Sequence, residues 1–136
     1  MENCVFCKIV NGQLPSSKIY EDDKVLAFLD IEPVNVGHTL VISKKHYVNI
    51  YDMPEAVLLD VMKVAQRVAK AIKNIPADGV NVTMNNDPAA GQVVFHSHIH
   101  VIPRLKDDGF GLWKGKKGYK DGEREKIVEK ITENLS

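Results

Sequence analysis

Three histidines, His96, His98 and His100, stand at alternate positions in HSHIHVIPR, residues 96–104, and the whole chain has five. Imidazole can attack phosphorus, move a proton near neutral pH, or ligate a metal. A β-strand turns successive side chains to opposite faces. A two-residue period therefore puts these three rings on one face, with Ser97, Ile99 and Val101 on the other. Neighbouring histidines on that face would lie roughly 7 Å apart, so two can converge on one small ligand, while three on one metal would need curvature. The residues alone leave two chemistries open: a catalytic metal held by two or three rings, or one nucleophilic or acid–base histidine oriented by the others. In the second case an imidazole hydrogen-bonded at one nitrogen attacks with the other, and a neighbouring ring stabilises charge on a phosphoryl oxygen.

The chain's two cysteines form a second reactive set, Cys4 and Cys7 in CVFC. A redox pair of the thioredoxin kind should follow a strand and open a helix, whereas this motif begins the chain. Two thiolates supply half of a tetrahedral zinc site, and histidines would have to supply the rest.

The elements that must position these groups are legible from local pattern. NGQLPSS (11–17) reads as a loop. Residues 18–22 and 24–30 read as a hairpin turning at Asp22 and Asp23, and TLVIS (39–43) as a strand after the loop 31–38. Helical spacing of Val57, Leu58, Val61, Met62, Ala65, Val68, Ala69 and Ile72 predicts one long helix over 54–74, with Pro54 in its first turn and Asp52 as its cap. GVNVTMN (79–85) alternates as a strand, 86–91 is a tight glycine-containing loop, and 95–103 is a further strand. A Gly-rich loop over 108–118 precedes a short C-terminal helix marked by Ile127, Val128, Ile131 and Leu135. The expected architecture is α+β, a mainly antiparallel sheet with one long helix, in a single domain over 1–136.

Composition narrows the function classes. With 18 basic and 18 acidic residues in 136, the chain lacks the charge excess that specific or nonspecific nucleic-acid binding would use. Lys114, Lys116, Lys117 and Lys120 read as a solvated loop. No apolar run approaches the roughly 20 residues of a membrane helix, and MENCVFCKIV has neither the basic nor the long apolar part of a signal peptide. The expected location is the cytoplasm.

HSHIHVI resembles the histidine triad of the HIT family. The likeness extends to CVFCKIVNGQLPSSKIYEDDKVLAFLDIEPVNVGHTLVISKKH and to NNDPAAGQVVFHSHIHVIPR, which resemble the bacterial Hit-like/Hint branch, and it covers roughly residues 4–113. The resemblance implies a HIT-like fold and a nucleotidyl hydrolase or transferase acting at the α-phosphorus of purine nucleoside phosphoramidates or related conjugates. It implies His98 as nucleophile, His100 as stabiliser of the α-phosphate oxygens, and His96 as a holder of strand geometry. Asp30 would accept from the ribose hydroxyls. Phe6, Ile9, Phe28 and Ile31 would wall the base, Asn85 would meet the phosphate or ribose, Gly91 and Gln92 would shape the loop at the α-phosphate with a backbone amide free to donate, and His38 would support the triad. It implies structural Zn²⁺ on Cys4, Cys7, His46 and His96, and a homodimer pairing the long helices and a strand. Two departures stand out: Val93 replaces a usual Ser or Thr, and Ser97 a usual bulkier residue. The readings that compete are a dinucleoside polyphosphate hydrolase, a metal-hydroxide hydrolase with zinc on His98 and His100, and a nucleotide-binding protein with negligible turnover.

Overall fold

Two runs of the sequence, VLAFL and TLVIS, carry almost no polar side chains, which suits strands covered on both faces. In the computed structural model, which describes residues 3–115 and 117–135, they form β2 (Val25–Leu29) and β3 (Thr39–Ser43), and nearly all of their residues are buried. Lys116 lies outside the described residues. β1 (Lys18–Glu21) pairs with β2, and Asp22 closes that hairpin by accepting from the amides of Lys24 and Val25 at 2.7 and 2.8 Å. With β4 (Gly79–Met84) and β5 (His98–Arg104), the five strands make one antiparallel sheet in the order β1-β2-β3-β5-β4.

The alternation of side chains divides the core into two layers. Val25, Ala27, Val41, Ile99 and Val101 face the long helix α2 (Glu55–Lys73) and pack on its Val61, Val64, Ala65, Val68 and Ile72. Leu26, Phe28, Leu40 and Ile42 face the other way and pack on Phe6 and Ile9. These last two belong to a six-residue helix, α1 (Val5–Val10), which the sequence reading did not foresee. Its N-cap is Cys4, whose Sγ accepts from the Cys7 amide at 3.1 Å. On β5 the histidines His98 and His100 share the α1 face, opposite Ile42 and Leu40.

Four expectations need correction. The strand over 95–103 starts later, at His98, because the Ser97 amide turns to the Tyr47 carbonyl (2.7 Å) instead of joining the ladder. Pro54 is the N-cap of α2, in extended conformation, not a residue of its first turn. Asp52 does not cap that helix; its carboxylate is taken by the amides of Val48 and Asn49, both at 3.0 Å. Met62 is exposed and Val64 takes its place in the core. The C-terminal helix α3 (Glu123–Glu133) forms as expected, but none of its described residues is buried.

At the end of β5, Arg104 grips Asp108 through both carboxylate oxygens (2.7 and 2.8 Å) and reaches Asn81 of β4 at 2.8 Å. This fork ties the outgoing loop to the sheet edge.

Candidate active site

On the α1 face, a cavity of about 450 Å³ runs from Pro15, Ser16 and Asp30 past Phe28 to His98 and His100, and ends at Asn85, Gly91 and Val93. A larger depression of about 730 Å³ lies beside Arg104 and Asp108 and contains none of the histidines. The smaller one brings His98 and His100 together with Asp30.

Hydrogen bonds to backbone groups assign the tautomer of each ring. His98 Nδ1 lies 2.7 Å from the His96 carbonyl oxygen, so it carries the proton and leaves Nε2 with a lone pair. The Val34 amide donates to His38 Nδ1 at 3.1 Å, which puts the His38 proton on Nε2. That N–H donates to His100 Nδ1 at 2.9 Å, so His100 must carry its own proton on Nε2. His100 Nε2 is buried and has no protein partner. The fold therefore places a lone pair on one ring and an unspent N–H on its neighbour, the two ring centroids 4.9 Å apart. The edge of Phe6 stands against the His98 ring at 5.2 Å and confines it.

Burial keeps these rings neutral. Desolvation lowers the basicity of His38, His96, His98 and His100, taking His96 and His100 to about 4, and outweighs the pull of Asp30 on His38 and His98. The sign of the stability linkage follows. The folded values lie below the ordinary value of about 6.5, so the contribution to stability is complete above that value and is lost as pH falls from it toward 4. The urea midpoint should be flat between pH 7 and 8 and should drop between pH 6.5 and 4.5. An unchanged midpoint at pH 5 would mean the rings are not held neutral.

The third triad histidine is elsewhere. His96 is fully buried, its Nε2–H donates to the Ser43 carbonyl at 2.7 Å, and its Nδ1 faces Cys4 Sγ at 3.3 Å and Cys7 Sγ at 3.5 Å. His46 Nδ1 lies 3.3 Å from Cys7 Sγ. The four ligand atoms are all within 4.8 Å of one another. A tetrahedron with zinc–sulfur and zinc–nitrogen bonds has edges of about 3.3–3.8 Å, and the closest approaches here match it. Burial, with help from Cys4, pushes the Cys7 thiol up to about 11; a cation among these four atoms would reverse that. These residues could hold a metal.

The other expected residues separate. Asp30 lines the cavity; one oxygen accepts from the Glu32 amide at 2.9 Å and the other sits 3.6 Å from His38 Nε2. Phe6, Ile9, Phe28 and Ile31 line the same end, with Ile31 94% exposed at the rim. Gly91 needs its positive φ of 93°, and its carbonyl accepts from Asn85 Nδ2 at 3.4 Å. His38 stands behind His100 rather than on the cavity wall. Gln92 turns inward, its amide bonded to Val48, Val94 and Asp87, so it braces the loop from behind. The backbone amides of Gly91 and Gln92 themselves are taken by the carbonyls of Pro88 and Asp87 at 3.0 and 3.1 Å. Ser97 Oγ is buried without a partner, and nothing in the structure explains it. Pro15, Ser16 and Glu32 line the cavity without any chemical pattern that would have marked them.

Residues 11–107 match the model of the HIT domain. The chain belongs to the HIT family. The α+β HIT fold is shared closely with a HIT family member from Bacillus subtilis, whose crystal structure superimposes with a TM-score of 0.92 at 42% identity, each chain covered to 98%. Adenosine 5′-monophosphoramidase HNT1 of Saccharomyces cerevisiae is 44% identical over 112 residues, 82% of this chain and 68% of that protein. A zinc-bound histidine triad family protein from Mycobacterium smegmatis is 37% identical with a TM-score of 0.77, covering 98% of this chain and 99% of that one. Among the described residues of this HIT protein, no helix is long and apolar enough to cross a membrane.

Proposed function

We propose that this HIT protein hydrolyses purine nucleoside phosphoramidates, or closely related conjugates, at the α-phosphorus through a nucleotidyl group carried on His98. One observation carries the reading: the lone pair of His98 Nε2 stands beside the unspent N–H of His100 Nε2. The nucleophile is held neutral and aimed by the His96 carbonyl. Nε2 attacks phosphorus in line, the phosphorus–nitrogen bond breaks, and its electron pair leaves with the nitrogen, which takes a proton from solvent. The positive charge on His98 is shared through Nδ1–H with the His96 carbonyl. His100 Nε2–H donates to a phosphoryl oxygen. Water then attacks phosphorus, the pair returns to Nε2, one proton is released, and the monophosphate departs. Asp30 accepts from the ribose hydroxyls, and Phe6, Ile9, Phe28 and Ile31 cover the base. The phosphoramidase activity named for the Saccharomyces relative supports this substrate class. The test is release of AMP from adenosine 5′-phosphoramidate by the purified protein; a well-folded protein without turnover would remove the assignment.

Cys4, Cys7, His46 and His96 hold structural zinc in this reading, supported by their S₂N₂ donor set and by the zinc-bound relative. Zinc there would fix the N-terminus and the entry to β5. Reduced thiols suit the cytoplasm.

The protein is proposed to be a homodimer. β4 is an edge strand, and α2 leaves Leu59 and Met62 60% and 45% exposed on the side away from its buried stripe. An uncovered edge and apolar stripe are what a second copy would cover. Light scattering should give twice the chain mass, and Leu59→Glu should shift it toward the monomer. A monomeric wild type at micromolar concentration would dismiss the dimer.

A further inference from the structure

The two cysteines stand on either side of Phe6 in the chain, and Phe6 touches the nucleophile. Cys4 caps α1, its Sγ accepting from the Cys7 amide at 3.1 Å, and both sulfurs face His96 Nδ1, at 3.3 and 3.5 Å. Phe6 sets its edge against the His98 ring, centroids 5.2 Å apart, and lies 6.0 Å from the His96 ring. The carbonyl that holds the His98 Nδ1 proton belongs to His96, a residue outside the paired part of β5. A change in the cysteine turn therefore reaches His98 along two routes, through Phe6 and through His96.

The two sulfurs differ in access. Cys7 is buried, whereas Cys4 is half-buried and lines a hollow of about 600 Å³ beside Asn3, Val5 and Val48. A small oxidant in that hollow meets Cys4 first, with the Cys7 sulfur within 4.8 Å behind it. Metal-held cysteines are thiolates, the form that attacks. Resting on the zinc and hydrolase readings above, we infer that Cys4 is a modification site for hydroperoxides, and that its oxidation to a disulfide with Cys7 releases the metal and unseats His98. The Cys4 thiolate attacks a peroxide oxygen, the oxygen–oxygen bond breaks, and hydroxide or alkoxide leaves. The Cys7 thiolate then attacks the sulfur of the resulting sulfenic acid and expels hydroxide. The two thiolates have given up two electrons and the peroxide has taken them. His46 and His96 remain as two ligands where a closed site needs four. Joined sulfurs stand about 2.05 Å apart, against about 3.8 Å across a zinc tetrahedron. The turn that carries Phe6 must tighten by that difference, and a misplacement of about 1 Å can cost on the order of 10²-fold in rate.

The experiment exposes zinc-loaded wild type to excess hydrogen peroxide. It follows released zinc with a chromogenic chelator, the cysteines by mass, and AMP release from adenosine 5′-phosphoramidate. One zinc should leave for each Cys4–Cys7 disulfide, the chain becoming lighter by two hydrogens, and kcat should fall in step by on the order of tenfold or more. Dimedone present during the oxidation should mark Cys4 and not Cys7. Dithiothreitol with added zinc should return the metal and the rate together, which it would not do for oxidised methionine. Zinc retained with both thiols free overturns the site. A disulfide with full turnover overturns its effect on His98, and dimedone on Cys7 overturns Cys4 as the point of attack. Protein purified without zinc defeats the metal reading, and the release with it, before any peroxide is added. Zinc-loaded protein that never releases AMP defeats the hydrolase reading instead, and zinc release with the disulfide still decides the site.

Discussion

His98→Ala should lower AMP release from adenosine 5′-phosphoramidate on the order of 10⁴-fold, the scale seen when a catalytic nucleophile or its partner is removed. The loss should fall on kcat. In the proposed reading the base and ribose contacts come from Phe6, Ile9, Phe28, Ile31 and Asp30, none of which is replaced, so AMP affinity should change little. Fold should survive, because the ring faces the cavity and its one hydrogen bond in the protein goes to a backbone carbonyl that can take a water. A urea midpoint close to wild type would establish that. Rapid quench of the wild type with an adenosine phosphoramidate should yield a chain heavier by one adenylyl group, on His98. Residual turnover within tenfold of wild type would mean that another group or a water attacks phosphorus, and the metal-hydroxide reading would then return.

The second large effect is on stability. Purified protein should carry one zinc per chain, and Cys7→Ser should lose it together with about 10 °C of thermal midpoint. Structural zinc contributes its binding free energy to folding directly, and a few kcal/mol moves a domain of this size by that much. Cys7 is the member with most to lose, since its sulfur meets both His46 and His96. Activity should fall as well, because His96 supplies the carbonyl that aims His98. A strong chelator should reproduce the mutant in the wild type and leave Cys7→Ser unmoved. A metal-free preparation with an unchanged midpoint would defeat the assignment.

The alternation of HSHIHVIPR was readable for its outcome at His98 and His100, because both lie in a paired strand where the two-residue period holds. It set the start of the strand too early, because where a ladder stops depends on a partner, here the Tyr47 carbonyl, that no local pattern reveals; His96 precedes the strand yet still lies against Phe6 of α1. The CVFC motif pointed to a metal site, and the structure brings His46 and His96 to it. The tautomers were invisible in the sequence: they are set by the carbonyls of His96 and Ser43 and the amide of Val34, which every residue type possesses. Gln92 looked like a cavity residue, yet a side chain with both donors and an acceptor is also what an otherwise unbonded loop needs at its centre. Helix α1 was missed because six residues are too few to show a period. The periodicity of α2 was clear, but it cannot say which of two apolar stripes meets the sheet, and so Met62 was exchanged for Val64.

The two faces of β5 do unlike work. Ile99 and Val101 anchor it beneath α2, while His98 and His100 point into the cavity, and β3 and β4 flank it on either side. Its amides are thus closed by neighbours on both edges and by packing on both faces, which is the condition for exchange with solvent only through global opening. The histidine rings ride on the strand expected to open last, whereas none of the described residues beyond Asp108 lines the cavity. Thermal inactivation and the loss of tertiary structure should accordingly be one event, with no folded but inactive form between them.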